Sequence, residues 1–199
     1  MYSEHQPEIA AHAWASPEGL TRAALFTLAS IRQPFARAVS QVRRDAPNAS
    51  CLARIRLAAR QFQGSAAKHL ETLGRISDAD SALYYLAGKV PGLALAKGGF
   101  LVQMLYGGIG CLDSVNAGLY GIPEATTAHY SQFKRAGRHE QGRMLRRYVS
   151  HCQRLGGSSV LWDKWCASVA GDAGAQRKQW RDAEHVSAAH VAAVLGARL

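Results

Sequence analysis

Apolar residues recur in this chain at intervals of three and four, and almost nowhere do they alternate with polar ones. That regularity points to an all-α fold. A helix turns once every 3.6 residues, whereas a half-buried strand repeats every two. The usual strand signals, alternating Val/Ile/Thr runs and Asn-Gly hairpin pairs, are missing. Ser16-Pro17 reads as an N-cap followed by a proline in the first helical position, with Leu20, Ala24, Leu28 and Ile31 on one face behind it. Pro34 ends or kinks that helix. Leu52, Ile55, Ala59 and Phe62 mark a second helix ending near Gly64, and Ser65 opens a third carrying Leu70 and Leu73. Ser77-Asp78 caps a short helix that contains Leu83, Tyr84 and Leu86. Residues 124–138 are polar and resist assignment, whereas 139–155 form a basic amphipathic helix closed by Gly156-Gly157. Ser158 starts a segment with Trp162, Trp165, Cys166 and Val169 at helical spacing. After a loop at 171–179, a last helix carries Val186, Val191, Val194 and Leu195. With no repeat and no long linker, residues 1–199 are expected to form one compact helical domain.

One stretch departs from this plain bundle. Residues 89–116, KVPGLALAKGGFLVQMLYGGIGCLDSVN, place a Pro-Gly turn before a Lys-Gly-Gly helix start, and a glycine-rich break before a single Asp. Pro91 fixes its own φ and drives Val90 extended, which ends the preceding helix. Gly92 takes a positive φ at no steric cost. A tight hairpin at about 80–107 is therefore expected, with backbone N–H groups exposed at the start of its second helix, where the dipole also favours an anion. A backbone phosphate fits such a place. Lys97 stands one turn further on, and Gly98 and Gly99 allow another backbone to approach closely.

Charge narrows the partner. The chain carries 24 Lys and Arg against 14 Asp and Glu, a formal net charge of +10. The excess is mostly arginine and lies in two blocks. The first holds Arg32, Arg37, Arg43, Arg44, Arg54, Arg56, Arg60 and Lys68, with Asp45 almost alone against it. The second holds Lys134, Arg135, Arg138, Arg143, Arg146, Arg147 and Arg154, opposed by Glu140. Clustered guanidinium groups repel one another, so a polyanion is the expected partner. No apolar run is long enough to cross a membrane, and the first residues lack the order of a signal peptide. The four cysteines, Cys51, Cys111, Cys152 and Cys166, form no C-x-x-C pair, which argues against zinc, an iron–sulfur cluster and a disulfide framework and fits a cytoplasmic protein. No P-loop, nucleophile elbow or His-x-x-x-His spacing occurs, so no cofactor and no metal are expected, and the chain is taken as a monomer.

The order of hairpin and acid resembles the helix-hairpin-helix DNA glycosylase superfamily. Its signature runs Leu-Pro-Gly-Val-Gly, a short helix, and then an Asp in a Val-Asp-Thr-His-like segment. Here Val90-Pro91-Gly92-Leu93-Ala94 stands for the hairpin and Cys111-Leu112-Asp113-Ser114-Val115-Asn116 for the acid segment, over about 30 residues. The stretch also resembles small glycosylase-like proteins of phages, some of them tied to thymine hypermodification. The resemblance implies a DNA glycosylase-like fold acting on a flipped base, with Asp113 beside the everted nucleotide as the catalytic carboxylate. It implies Gly92, Leu93, Ala94, Lys97 and Gly98 on the DNA backbone, and Arg43, Arg44, Arg143, Arg146 and Arg147 as further DNA contacts. Ala94 replaces the second hairpin glycine, and Ala96 stands where bifunctional members carry their Schiff-base lysine. No lyase activity is therefore expected, and Lys97 is cast as a phosphate contact. Tyr84, Tyr85, Tyr106 and Asn116 flank the motif as candidate base-pocket residues, although tyrosine at helical spacing is also what a core contains. Asp113 can equally be the N-cap of a helix at 114–120. A base-hypermodifying transferase and a non-catalytic DNA-binding module remain as alternatives to a glycosylase.

Overall fold

The computed structural model describes residues 2–30, 42, 53–157 and 161, and among these every regular element is a helix. In chain order they are α1 (Tyr2–Ala15), α2 (Pro17–Ala29), α3 (Ala53–Gly64), α4 (Ala66–Gly74), α5 (Ala79–Lys89), α6 (Leu95–Leu105), α7 (Ser114–Leu119), α8 (Glu124–Ser131), a 3₁₀ turn at Phe133–Arg135, and α9 (Arg138–Arg154). The segments read from Trp162, Trp165 and Val186 onward, Ile31 and Pro34, and also Arg43 and Arg44, lie outside the described residues.

Helix α2 begins as the sequence dictates. Ser16 Oγ accepts from Gly19 N–H at 3.1 Å, and Pro17 occupies the first turn, where its missing donor costs nothing. Its burial goes further than a single face. Gly19, Leu20, Thr21 and residues 23 to 29 are all buried, because α1, α3, α4 and α6 pack around it. The two threonines survive there by donating to their own helix, Thr21 to Pro17 O at 2.7 Å and Thr27 to Ala23 O at 3.0 Å. Helix α1, which no strong periodicity announces, lies across the ends of α2 and α6. Its Gln6 and Trp14 side chains donate to Met104 O and Leu105 O, at 3.1 and 3.4 Å. These are among the carbonyls that the last turn of α6 leaves without a helical partner.

The expected hairpin forms between α5 and α6. Val90 is extended (φ −93°, ψ 121°), Gly92 has φ +78°, and Leu93 N–H donates to Val90 O at 3.3 Å. This is the pattern of a Pro-Gly turn with glycine at the position that demands positive φ. The hairpin is tied down from both sides. A Cβ at Gly92 would lie 2.7 Å from Ala58 Cβ and 2.9 Å from Leu28 Cδ2, and Lys134 Nζ donates to Val90 O. Ala94, in place of a glycine, is extended at φ −119° and carries no left-handed strain.

Beyond α6, Gly107 and Gly108 both have positive φ, and the chain doubles back over the helix it has just left. Tyr148 of α9 holds this return. Its hydroxyl donates to Gly110 O at 2.7 Å and accepts from Leu112 N–H at 2.9 Å. Residues 124–138, unassigned from sequence, are α8 and the 3₁₀ turn. Only Thr126 and Tyr130 of α8 are buried, too sparse a stripe to reveal a helix.

The two central glycines of α6 are steric devices. A Cβ at Gly99 would sit 2.5 Å from Tyr148 Oη and 2.8 Å from Gly110 O, whereas one at Gly64 meets nothing within 4 Å. Gly99→Ala should therefore lose about 1–3 kcal/mol of stability through overpacking. Gly64→Ala should be neutral or gain up to about 1 kcal/mol. Urea denaturation of the two variants checks both values.

Candidate functional site

Asp113 opens α7. Its Oδ1 accepts from Asn116 N–H at 3.1 Å, the side-chain cap that the sequence allows. Its Oδ2 lies 3.3 Å from Lys97 Nζ, one turn into α6. Lys97 Nζ also donates to Ser30 Oγ at 3.2 Å, at the C-terminus of α2, and stands 5.6 Å from the centre of the Phe100 ring. Ser30 in turn donates to Thr27 O at 2.7 Å. The acid, the hairpin's second helix and the end of the central helix thus meet in one polar chain. Asn116 completes it from the far side by donating Nδ2 to Cys111 O at 2.6 Å, while its own Oδ1 is buried without a partner.

The pair is neither sealed nor free. The Lys97 side chain is 16% exposed and that of Asp113 26%, so water and a small group reach the carboxylate from one side. Burial works against the Lys97 ammonium, but its acidic neighbours, Cys111 and Asp113, outweigh it and hold its pKa above the usual lysine range. Burial first, then Asp113, pushes the Cys111 thiol up to about 12, so it stays protonated near neutrality. The charge facing Lys97 there is therefore that of Asp113. An ammonium held in this way is a poor nucleophile, because amine attack needs the neutral form. The carboxylate is the reactive group that remains, able to orient water or to face a developing positive charge.

Several sequence expectations change once side chains are placed. Lys97, cast as a phosphate contact, turns inward to Asp113 and Ser30, since its stem starts on the side of α6 that faces α2. Leu93 has its N–H committed to Val90 O and its side chain buried, so it has no donor to offer DNA. Gly98 is buried against α5, with Leu83 Cδ1 3.0 Å and Ala87 N 3.6 Å from where its Cβ would be. It serves the close approach of two helices within the protein. Gly92 and the N-terminus of α6 are what the hairpin still presents. Ala94 caps that helix, and the N–H groups of Leu95, Ala96 and Lys97 precede its first backbone bond, from Gly98 N to Ala94 O at 2.7 Å.

The three tyrosines do not form a base pocket. Tyr84 bonds Gln141 Oε1 at 3.1 Å, Tyr85 bonds His69 Nδ1 at 2.8 Å, and Tyr106 donates to Leu73 O at 2.7 Å. They point to two different helices, Tyr85 and Tyr106 to α4 and Tyr84 to α9, and each spends its hydroxyl on holding one. Of the residues named for the pocket, only Asn116 adjoins Asp113. Arg143, Arg146 and Arg147 are exposed on α9. The buried side of that helix, with Met144, Tyr148 and Cys152, faces inward, and its Tyr148 holds the loop at Gly110 and Leu112. Ser30, Phe100 and Tyr148 carry no motif that marks them. Ser30 and Tyr148 reach the site across long sequence separations that no local spacing encodes, whereas Phe100 stands one turn from Lys97 on the same helix. Among the described residues no group of His, Cys, Asp and Glu is arranged to hold a metal ion, and no helix is long and apolar enough to cross a membrane. No protein-family model, curated protein or solved structure matches the chain.

The ion pair is measurable by a double-mutant cycle of Lys97→Met and Asp113→Asn, with an expected coupling of about 1–2 kcal/mol for a partly buried pair. Because the folded pKa of Lys97 is raised, its contribution is fully present below the unfolded lysine value of about 10.4 and disappears as pH rises through the higher folded value. Chemical denaturation at pH 7 and pH 11 should show the coupling constant at the first and shrinking at the second.

Proposed function

We propose that this protein is a DNA glycosylase-like enzyme acting on a flipped base, with Asp113 as the catalytic carboxylate and no lyase step. One observation carries the reading: Lys97 leaves the first turn of the hairpin's second helix and ends on Asp113. The element suited to a backbone phosphate and the acid suited to the reaction are thereby joined through a single side chain. In this reading Gly92 and the N-terminus of α6 accept a phosphate, and the nucleotide beside it leaves the stack to reach the open side of Asp113. The carboxylate then directs water to the sugar carbon as the base departs, or stabilises the positive charge that develops there. Lys97 acts as a positioning residue. It keeps the carboxylate aimed, and its raised pKa favours hydrolysis over amine attack. The net charge of +10 supplies affinity without sequence preference.

A second reading, a DNA-binding module without chemistry, draws on the engagement of both Asp113 oxygens, one in the helix cap and one in the ion pair. Asp113→Asn separates the two. Under the enzymatic reading it lowers base release from modified duplexes by about 10²–10⁴-fold and leaves duplex affinity within about twofold. If no modified duplex yields any Asp113-dependent product, the binding module is the better account. Under either reading, duplex affinity measured by fluorescence anisotropy should fall at least about 100-fold between 50 and 200 mM salt. An affinity indifferent to salt removes DNA as the partner.

A further inference from the structure

Helices α8 and α9 enclose a cleft of about 200 Å³ lined by His129, Glu140, Arg143, Met144 and Arg147. Neither Asp113, Lys97 nor the hairpin contributes to it. Arg143 and Arg147 are one turn apart on α9 and so project to the same side. Glu140 is engaged twice, by His129 Nε2 at 3.2 Å and by Arg143. It therefore fixes Arg143 in place, whereas Arg147 has no acid partner among the described residues.

The neighbourhood of the cleft adds donors that no described residue uses. Arg154 Nη2 lies 3.1 Å from His151 Nδ1. A guanidinium cannot accept, so Nδ1 is the acceptor and the imidazole proton sits on Nε2. That Nε2–H is buried and without a partner. So is the hydroxyl of Tyr130, a residue 98% buried, whose ring packs against both His129 and His151. This hydroxyl lies within electrostatic reach of Arg147 and Arg154, and burial keeps it protonated by pushing its pKa up to about 12. Leaving two buried donors unmatched is unfavourable. Two guanidinium groups, Arg143 and Arg147, thus line the cleft with Glu140 as its one carboxylate, and Arg154, Tyr130 and His151 lie nearby.

We propose that the cleft between α8 and α9 is a phosphate-binding site, distinct from the hairpin and the acid. Arg147 and Arg143 grip the oxyanion with their planar forks, while Glu140 and His129 hold Arg143 in register. The Tyr130 hydroxyl lies behind the cleft, within electrostatic reach of Arg147. The chemistry is that of a tetrahedral phosphate, carried either by a nucleic-acid backbone or by a small phosphate ester. The assignment does not rest on the role given to Asp113.

Calorimetric titration of the full chain with inorganic phosphate at constant ionic strength tests it. The expected Kd is about 1 mM or tighter. Arg147→Ala should weaken it by about tenfold or more. Arg138→Ala, an exposed arginine on the same helix outside the cleft, should leave it unchanged, as should Asp113→Asn. Thermal unfolding of each variant confirms that the fold is retained. Absence of phosphate binding, or equal weakening by Arg138→Ala and Arg147→Ala, overturns the site. Competition then identifies the source. A duplex oligonucleotide that displaces bound phosphate assigns the cleft to the nucleic-acid backbone, and a duplex that leaves it bound assigns it to a small phosphate ester.

Discussion

The phenolic oxygen of Tyr148 is where the geometry of this molecule is decided. It accepts from one backbone N–H and donates to one backbone carbonyl, two residues apart, in the segment that returns from α6 to α7. That segment runs through the interior, so its polar groups need partners inside the protein. Tyr148 supplies two, and Gln103 Oε1 supplies a third by accepting from Cys111 N–H at 3.3 Å. Burial raises the Tyr148 pKa well above the ordinary phenol value, so the donor is retained across the physiological range. The arrangement is possible only because Gly99 has no side chain. Everything that follows in the chain, including the direction in which Asp113 emerges, inherits its position from this contact.

The lysine–acid pair is best understood as a compromise between solvation and attraction. A carboxylate and an ammonium at 16–26% exposure have lost much of their water, and attraction across 3.3 Å offsets what desolvation costs the lysine. Neutral dipoles add to it: a helix N–H on one side of the acid, and a serine hydroxyl with an aromatic face beside the base. Such a setting keeps both charges at neutral pH without burying either completely. It suits a group that must be ionised and yet reachable.

Much of the fold was legible because helices announce themselves locally. Ser16-Pro17, Asp78 and the Val90-Pro91-Gly92 turn each act through bonds within a few residues, and the structure places them as the spacing predicts. The acid's cap on α7 is local too. What could not be read depends on which helix ends up beside which. The glycines of α6 look like an open surface in the sequence, but they serve helices α5 and α9. The tyrosines look like a stacking platform, but two neighbouring helices, α4 and α9, take up their hydroxyls. Lys97 looks like a cation waiting for a phosphate, because nothing nearby in sequence reveals that α7 begins at its side. Helix α8 was missed for a simpler reason: two buried residues in eight leave no periodic trace.

The side chains of Gln6 and Trp14 close the exposed carbonyl end of α6. The opening fifteen residues bear none of the proposed chemistry, yet they stopper the helix on which Lys97 and both packing glycines are mounted. A chain shortened to begin at Ser16 would keep every residue of the hairpin and the acid and lose the plug that keeps water from the far end of their support. For this molecule the boundary of the functional unit lies well outside the segment that carries its motif.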